Sequence, residues 1–221
     1  MNKKRFIWLV PVLAMALAMS ACKSDDDGDN NGGGIGDTLS FSDELVYNAD
    51  MSLYTGIDRT ITALGGTGLI RGGKMTFTIG IPNSLIPMVT LLVDMDERLG
   101  YSVFSRADYD PVTAHARDLA ITNLSKKIYT KTKTSITEQE IYYIYVDTDC
   151  TVTAKGIPPI EYTYHDDSTD DDTPVSVTVS NFTLHLKKGW NPVSKILTAS
   201  STRGTLVIGD GDSKNCKWIL E

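Results

Sequence analysis

From Leu39 onward the apolar residues recur at every second position in short runs, the pattern of strands with one face buried. Met75, Phe77, Ile79 and Ile81 alternate with Thr76, Thr78 and Gly80, and the preceding Arg71-Gly72-Gly73-Lys74 is a hairpin turn signal. Further strands are predicted near 101–106, 116–122, 126–134 and 139–148. In the third of these, Lys127, Tyr129, Lys131 and Lys133 alternate with Ile128, Thr130, Thr132 and Thr134, which predicts an edge strand guarded by lysine. Ile141 to Val146 is apolar or aromatic at both parities, so it is expected to be central and covered on both sides. Cys150, Val152 and Ala154 share one face of the next strand. Between Pro174 and Lys188 the inward parity changes, from Val175, Val177 and Val179 to Phe182, Leu184 and Leu186. A bulge or a bend between sheets is required near Ser180-Asn181. Thr205 to Ile208 and a terminal strand with Cys216, Trp218 and Leu220 on one face complete the pattern.

Only Asn83 to Arg98 has helical spacing. Asn83 is positioned to cap, Pro87 falls in the first turn, and Leu85, Met88, Val89, Leu92 and Met95 form a stripe. Ile86, Leu91 and Val93 interrupt its polar side, which leaves a buried strand as the alternative. Short strands with at most one helix predict an all-β fold, an antiparallel β-sandwich. A closed β-barrel is the alternative; the uneven strand lengths and the parity switch favour the sandwich.

The first 36 residues follow a different pattern. Lys3, Lys4 and Arg5 precede the 14 uncharged residues Phe6 to Met19, long enough for a signal core but short of the roughly 20 apolar residues that span a bilayer. Met19-Ser20-Ala21-Cys22 follows, and this arrangement resembles a bacterial lipoprotein signal. The resemblance implies cleavage before Cys22, acylation of Cys22, and attachment to the membrane by lipid, with residues 1–21 absent from the mature protein. Met19 departs from the Leu that the family prefers three residues before the cysteine. Lys23 and Ser24 stand where an inner-membrane retention Asp would be, so the resemblance implies the outer membrane. The run Lys23-Ser24-Asp25-Asp26-Asp27 is similar to an export signal for lipoproteins displayed on the cell exterior; it reads equally as a solvated tether. Residues 22–36, rich in Gly, Asp and Asn, are expected to form a flexible tether with a reach of about 20 Å, and 37–221 a single sandwich domain. Leu184 to Asn191 contains a Lys-Lys-Gly-Trp-Asn turn similar to one in β-rich bacterial lipoproteins, which adds to the fold reading and implies no chemistry.

Charge narrows the partners. The full chain has a net charge of −7; loss of the three basic residues of the signal takes it to −10. Nucleic acid is thereby disfavoured, because phosphate contacts require a basic face. The expected partners are the membrane, through lipid, and a protein or a glycan.

Candidate chemistry is sparse. No catalytic set, metal site or cofactor is predicted. Gly65-Gly66-Thr67-Gly68 lacks the Gly-Lys-Ser/Thr ending of a phosphate loop and is read as a turn. The acidic stretches 165–172 and 210–215 offer oxygen ligands without calcium-loop spacing and are read as solvated loops. His115, His165 and His185 are too scattered for zinc. An extracytoplasmic enzyme or carbohydrate-processing module is the alternative function, since a hydroxyl-His-Asp set or a carboxylate pair need not be contiguous in sequence. Once Cys22 is acylated, Cys150 and Cys216 remain, both at inward positions in an exported chain, and a disulfide between them is expected.

Overall fold

The structure is a computed structural model and describes residues 34–48, 50–132, 134–166, 171–213 and 215–220. The expected signal sequence, Cys22 and most of the expected tether lie outside the described residues. The chain opens with β1 (Leu39–Tyr47) and the meander β2 (Arg59–Ala63), β3 (Gly66–Arg71) and β4 (Lys74–Ile79). A short β5 (Ile86–Pro87) leads into α1 (Met88–Leu99) and a 3-10 turn, Phe104–Arg106. Then come β6 (Asp108–Asp110), β7 (His115–Asp118), β8 (Leu124–Lys131), β9 (Ser135–Val146) and β10 (Cys150–Ala154). The rest is β11 (Ile160–Asp166), β12 (Asp171–Val179), β13 (Phe182–Leu186), β14 (Gly189–Ser200), β15 (Gly204–Asp210) and β16 (Lys217–Leu220).

The main sheet runs β11-β12-β15-β14-β9-β8-β16-β1-β4-β3-β2, with β7 and β5 also attached at β9; β13-β10-β6 form a small second sheet. β1 joins two parts of the main sheet. Leu39–Glu44 pair antiparallel with β4, while Leu45–Tyr47 pair parallel with β16. One core contains Ile141, Tyr143 and Tyr145 of β9 together with Ile61, Ile70, Met75, Phe77 and Trp218. The other contains Ile144 and Val146 of β9, the apolar side of α1, and Cys150, Val152, Phe182 and Leu184 of the small sheet. Alternate side chains of β9 thus enter different cores, as its two-sided apolar sequence requires.

The all-β sandwich is therefore observed, and the described residues form no closed barrel. The change of parity at Ser180-Asn181 is the point where the chain leaves the main sheet: β12 pairs with β11 and β15, and β13 pairs with β10. Arg71 to Lys74 forms the expected hairpin turn, with Gly72 and Gly73 at φ 55° and 75°. Several expectations need correction. The sheet is mixed, since β1–β16 and β12–β15 are parallel. β8 lies between β9 and β16, so its lysines do not mark an edge. Gly66 and Gly68 belong to β3, where a Cβ would meet the Phe77 ring, so close packing rather than turning explains them. Ile81 is exposed because the strand stops at Ile79.

The helix begins five residues after Asn83. Ile86 and Pro87 first pair with β7, and Pro87 at φ −54°, ψ 141° occupies the N-cap. Gly100 ends the helix at φ 74°, and its N–H donates to the Asp96 and Glu97 carbonyls. The strand expected at 101–106 is the 3-10 turn instead, because the buried Asp96 carboxylate accepts the backbone N–H groups of Val103, Phe104 and Ser105 at 2.7–2.9 Å. The acidic stretch 165–172 is not a free loop at its ends: His165 pairs with Asp172 and Asp166 with Asp171 in the β11–β12 hairpin.

Candidate functional site

The two faces of the main sheet each hold a buried lysine. In β8 the inward parity is Leu124, Lys126 and Ile128, and Lys126 is 6% exposed. Its Nζ donates to Tyr143 Oη at 2.7 Å and to Asp212 Oδ2 at 3.1 Å, and lies 3.4 Å from Asp43 Oδ2. Tyr143 Oη in turn donates to Asp212 Oδ2 at 2.8 Å. Phe41 stacks on Trp218 with ring centroids 4.7 Å apart and on Tyr143 at 6.2 Å, so aromatic rings border the polar group, while the Asp43 and Asp212 side chains stay 35% and 41% exposed. Two atoms nearby are buried without a hydrogen-bond partner, Asp43 Oδ2 and Trp218 Nε1. β1, β8, β9 and Asp212, which follows β15, meet at this point.

Lys195 occupies the matching place on the opposite face. β14 buries Val193, Lys195, Leu197 and Ala199 in alternation, and Lys195 Nζ is 2.8 Å from Glu140 and 3.3 Å from Glu138 on the neighbouring β9. Tyr142 donates to Glu140 at 2.5 Å. Burial works to lower the Lys195 pKa, but Tyr142, Glu140, Tyr101 and Glu138 around it hold it above its ordinary value. The Tyr142 and Tyr143 hydroxyls are pushed upward, first by burial and then by the carboxylates beside them.

The Lys-Lys-Gly-Trp-Asn turn is where the chain entering the domain is seated. Ile35 N–H donates to the Trp190 carbonyl at 2.6 Å, and Trp190 N–H to the Gly36 carbonyl at 2.8 Å. Ile35 and Gly36 are thus paired, although the tether was expected to extend through them. The Trp190 indole is fully buried and donates to the Gly80 carbonyl at 3.0 Å. Gly189 has φ 105°, and a Cβ there would lie 2.5 Å from the Gly36 oxygen, so only glycine lets the two segments approach. Asn191 locks the turn: its Oδ1 accepts from Lys187 N–H at 2.8 Å and its Nδ2 donates to the Lys187 and Gly189 carbonyls at 2.7 and 2.8 Å.

No family model, curated protein or solved structure matches the chain.

The residues singled out from the sequence fare unevenly. Cys150 and Cys216 are both free and both buried, but one lies in each core, Cys150 on β10 of the small sheet and Cys216 beside Trp218. The expected disulfide is not formed, because Cys150, on β10, and Cys216, just before β16, lie in different cores. Burial pushes the Cys150 thiol up to about 11 and raises Cys216 as well, which makes both poor nucleophiles at neutral pH. His115 is paired with Asp147 at 3.4 Å, His165 with Asp172 at 2.9 Å, and the His185 side chain is exposed. Among the described residues no three His, Cys, Asp or Glu side chains converge as a metal site. Asp210 and Asp212, read from sequence as part of a turn, accept bonds from His185 N–H and from the Lys126 group respectively. An open groove of about 400 Å3 beside α1 is lined by Asp94, Glu97, Arg98, Arg117 and Asp118, with Arg98 and Asp118 joined at 2.5 Å.

Sequence reasoning missed both lysine sites, although a signal existed. Lys126 shares the parity of Leu124 and Ile128, and Lys195 that of Val193 and Leu197. A lysine on the inward parity of a strand has to find carboxylates or leave its amine in water.

Proposed function

We propose that this chain is a lipid-anchored protein of the outer membrane, acylated at Cys22, whose β-sandwich serves a binding or structural role at the envelope, on the outer side where the Lys23 to Asp27 run acts as an export signal. The observation that carries the reading is the seat of the entering chain. Only twelve residues separate Cys22 from Ile35, and Ile35 and Gly36 are held by paired backbone bonds to Trp190. A tether fixed in this way transmits a pull from the membrane to a fully buried indole in the core rather than to a frayed terminus. No described helix is long and apolar enough to cross a membrane, so attachment in this reading rests on acyl chains, each methylene of which contributes about 0.8 kcal/mol when buried in lipid.

Mass spectrometry of the protein purified from its membranes tests the proposal. An acylated Cys22 at the N-terminus, with residues 1–21 absent, is the expected result, and Cys22→Ala is expected to move the protein to the soluble fraction. An unmodified thiol at Cys22, or an intact N-terminal segment, would overturn it.

A further inference from the structure

We propose that Lys126 and Asp43 become joined by an intramolecular amide bond, with Asp212 relaying the protons. Three observations point there. Lys126 is buried, and its Nζ contacts two carboxylates, which is one more than is needed to balance its charge. The two carboxylates are engaged differently. Asp212 Oδ2 receives hydrogen bonds from both Lys126 Nζ and Tyr143 Oη, so it is oriented as a proton acceptor. Asp43 Oδ2 is 3.4 Å from the same nitrogen, buried, and without any hydrogen bond. A buried carboxylate oxygen with no hydrogen bond requires an explanation, and an oxygen that departs as water supplies one. The Lys195 group makes a useful contrast, since none of its buried oxygens lacks a partner among the described residues.

The step balances without any further reactant. Asp212 takes a proton from the Lys126 ammonium, and the freed lone pair attacks Cγ of Asp43, forming a C–N bond. The Asp43 C–O bond then breaks, and the oxygen leaves as water with the two protons that Nζ has lost. One positive and one negative charge are replaced by a neutral amide, and no electrons are transferred. Two features favour condensation over hydrolysis: the fixed approach of the reacting groups, and the loss of the ammonium charge of Lys126, which is 6% exposed. The bond would tie β8 to β1 across β16, whose Trp218 lies in register between Lys126 and Leu45.

The full-length protein, purified from producing cells and denatured, is the material for the test. Comparing wild type with Lys126→Arg cancels any mass added by acylation. The wild type is expected to be lighter than its uncross-linked mass by one water, and proteolysis to give a branched peptide joining the Asp43 and Lys126 segments. Asp43→Asn is expected to form the same amide with loss of one ammonia instead, and Asp212→Asn to fold but remain uncross-linked. A wild-type protein at its full mass overturns the proposal, as does a branched peptide that carries Asp212 in place of Asp43. Because the decisive reading is made on the wild type, a variant that fails to fold does not rescue the idea.

Discussion

A lysine amine inside a sandwich core sets a sharp energetic condition. Taking one ammonium out of water costs several kcal/mol after relaxation, and only close carboxylates repay it. Lys195 meets that condition with Glu140 at 2.8 Å and Glu138 at 3.3 Å, all three projecting from adjacent strands. The pair of carboxylates then depends on the lysine as much as the reverse. Lys195→Ala leaves Glu138 and Glu140 facing each other without a cation, so a loss of about 3–5 kcal/mol is expected in denaturant unfolding. Replacing Lys195 by Met together with Glu140 by Leu is expected to recover most of it, because an apolar pair of similar volume removes the desolvation cost of both charges. Additive losses in the double variant would show that the group is held by something other than this ion pairing.

At the scale of elements, two local devices help place the small sheet and the segment after the helix. Ser180-Asn181 passes the chain from one sheet to the other, and Asp96 joins the end of α1 to the 3-10 turn that follows. Asp96 is 6% exposed and accepts three backbone N–H groups, with the Ser105 hydroxyl as a fourth donor. Asp96→Ala orphans these donors, two of them buried, at about 1–3 kcal/mol for each group left without a partner. The expected outcome is a destabilisation of at least about 2 kcal/mol, with hydrogen exchange at Val103 and Phe104 accelerated beyond the global effect; unchanged protection there would disprove the role. The sheet switch was legible because the parity of six residues, Val175 to Leu186, had to change somewhere between them. Asp96 was not legible, since a carboxylate on a helix reads as solvent-facing until the turn beneath it is known. Pairing order was equally hidden: β8 carries lysines at alternate positions like an edge strand, yet β16 arrives from nearly ninety residues later in sequence to cover it. The cysteines show the same limit. Their inward parity was read correctly, but parity says which way a side chain points within its strand and not which of two cores it enters.

For the molecule as a whole, a core that buries hydroxyls, thiols and an amine together fixes the direction in which pH acts. Cys150 is 3% exposed, and burial moves its thiol from an ordinary 9.0 up to about 11. Burial also raises Cys216, Tyr101, Tyr142 and Tyr143, and neighbouring carboxylates add to the shift of both Tyr142 and Tyr143. Lys195 is raised as well, by attraction that outweighs its burial. For every one of these groups the folded pKa lies above the unfolded one. Each therefore contributes stability that is fully present below its unfolded pKa and is lost as pH rises through the folded value. For Cys150 that window runs from pH 9.0 to about 11, and the difference corresponds to about 2–3 kcal/mol. Tyrosine and lysine ionisation extends the loss further upward. Urea unfolding followed across the alkaline range is thus expected to show a midpoint that is steady near neutrality and falls steeply above pH 9. Cys150→Ala, less stable at pH 7 through its smaller side chain, is expected to show a shallower fall over the same interval, so that the two midpoints converge toward pH 11. A wild-type midpoint that stays level to pH 11, or two curves that fall in parallel, would mean that the Cys150 thiol is not titrating from a buried site.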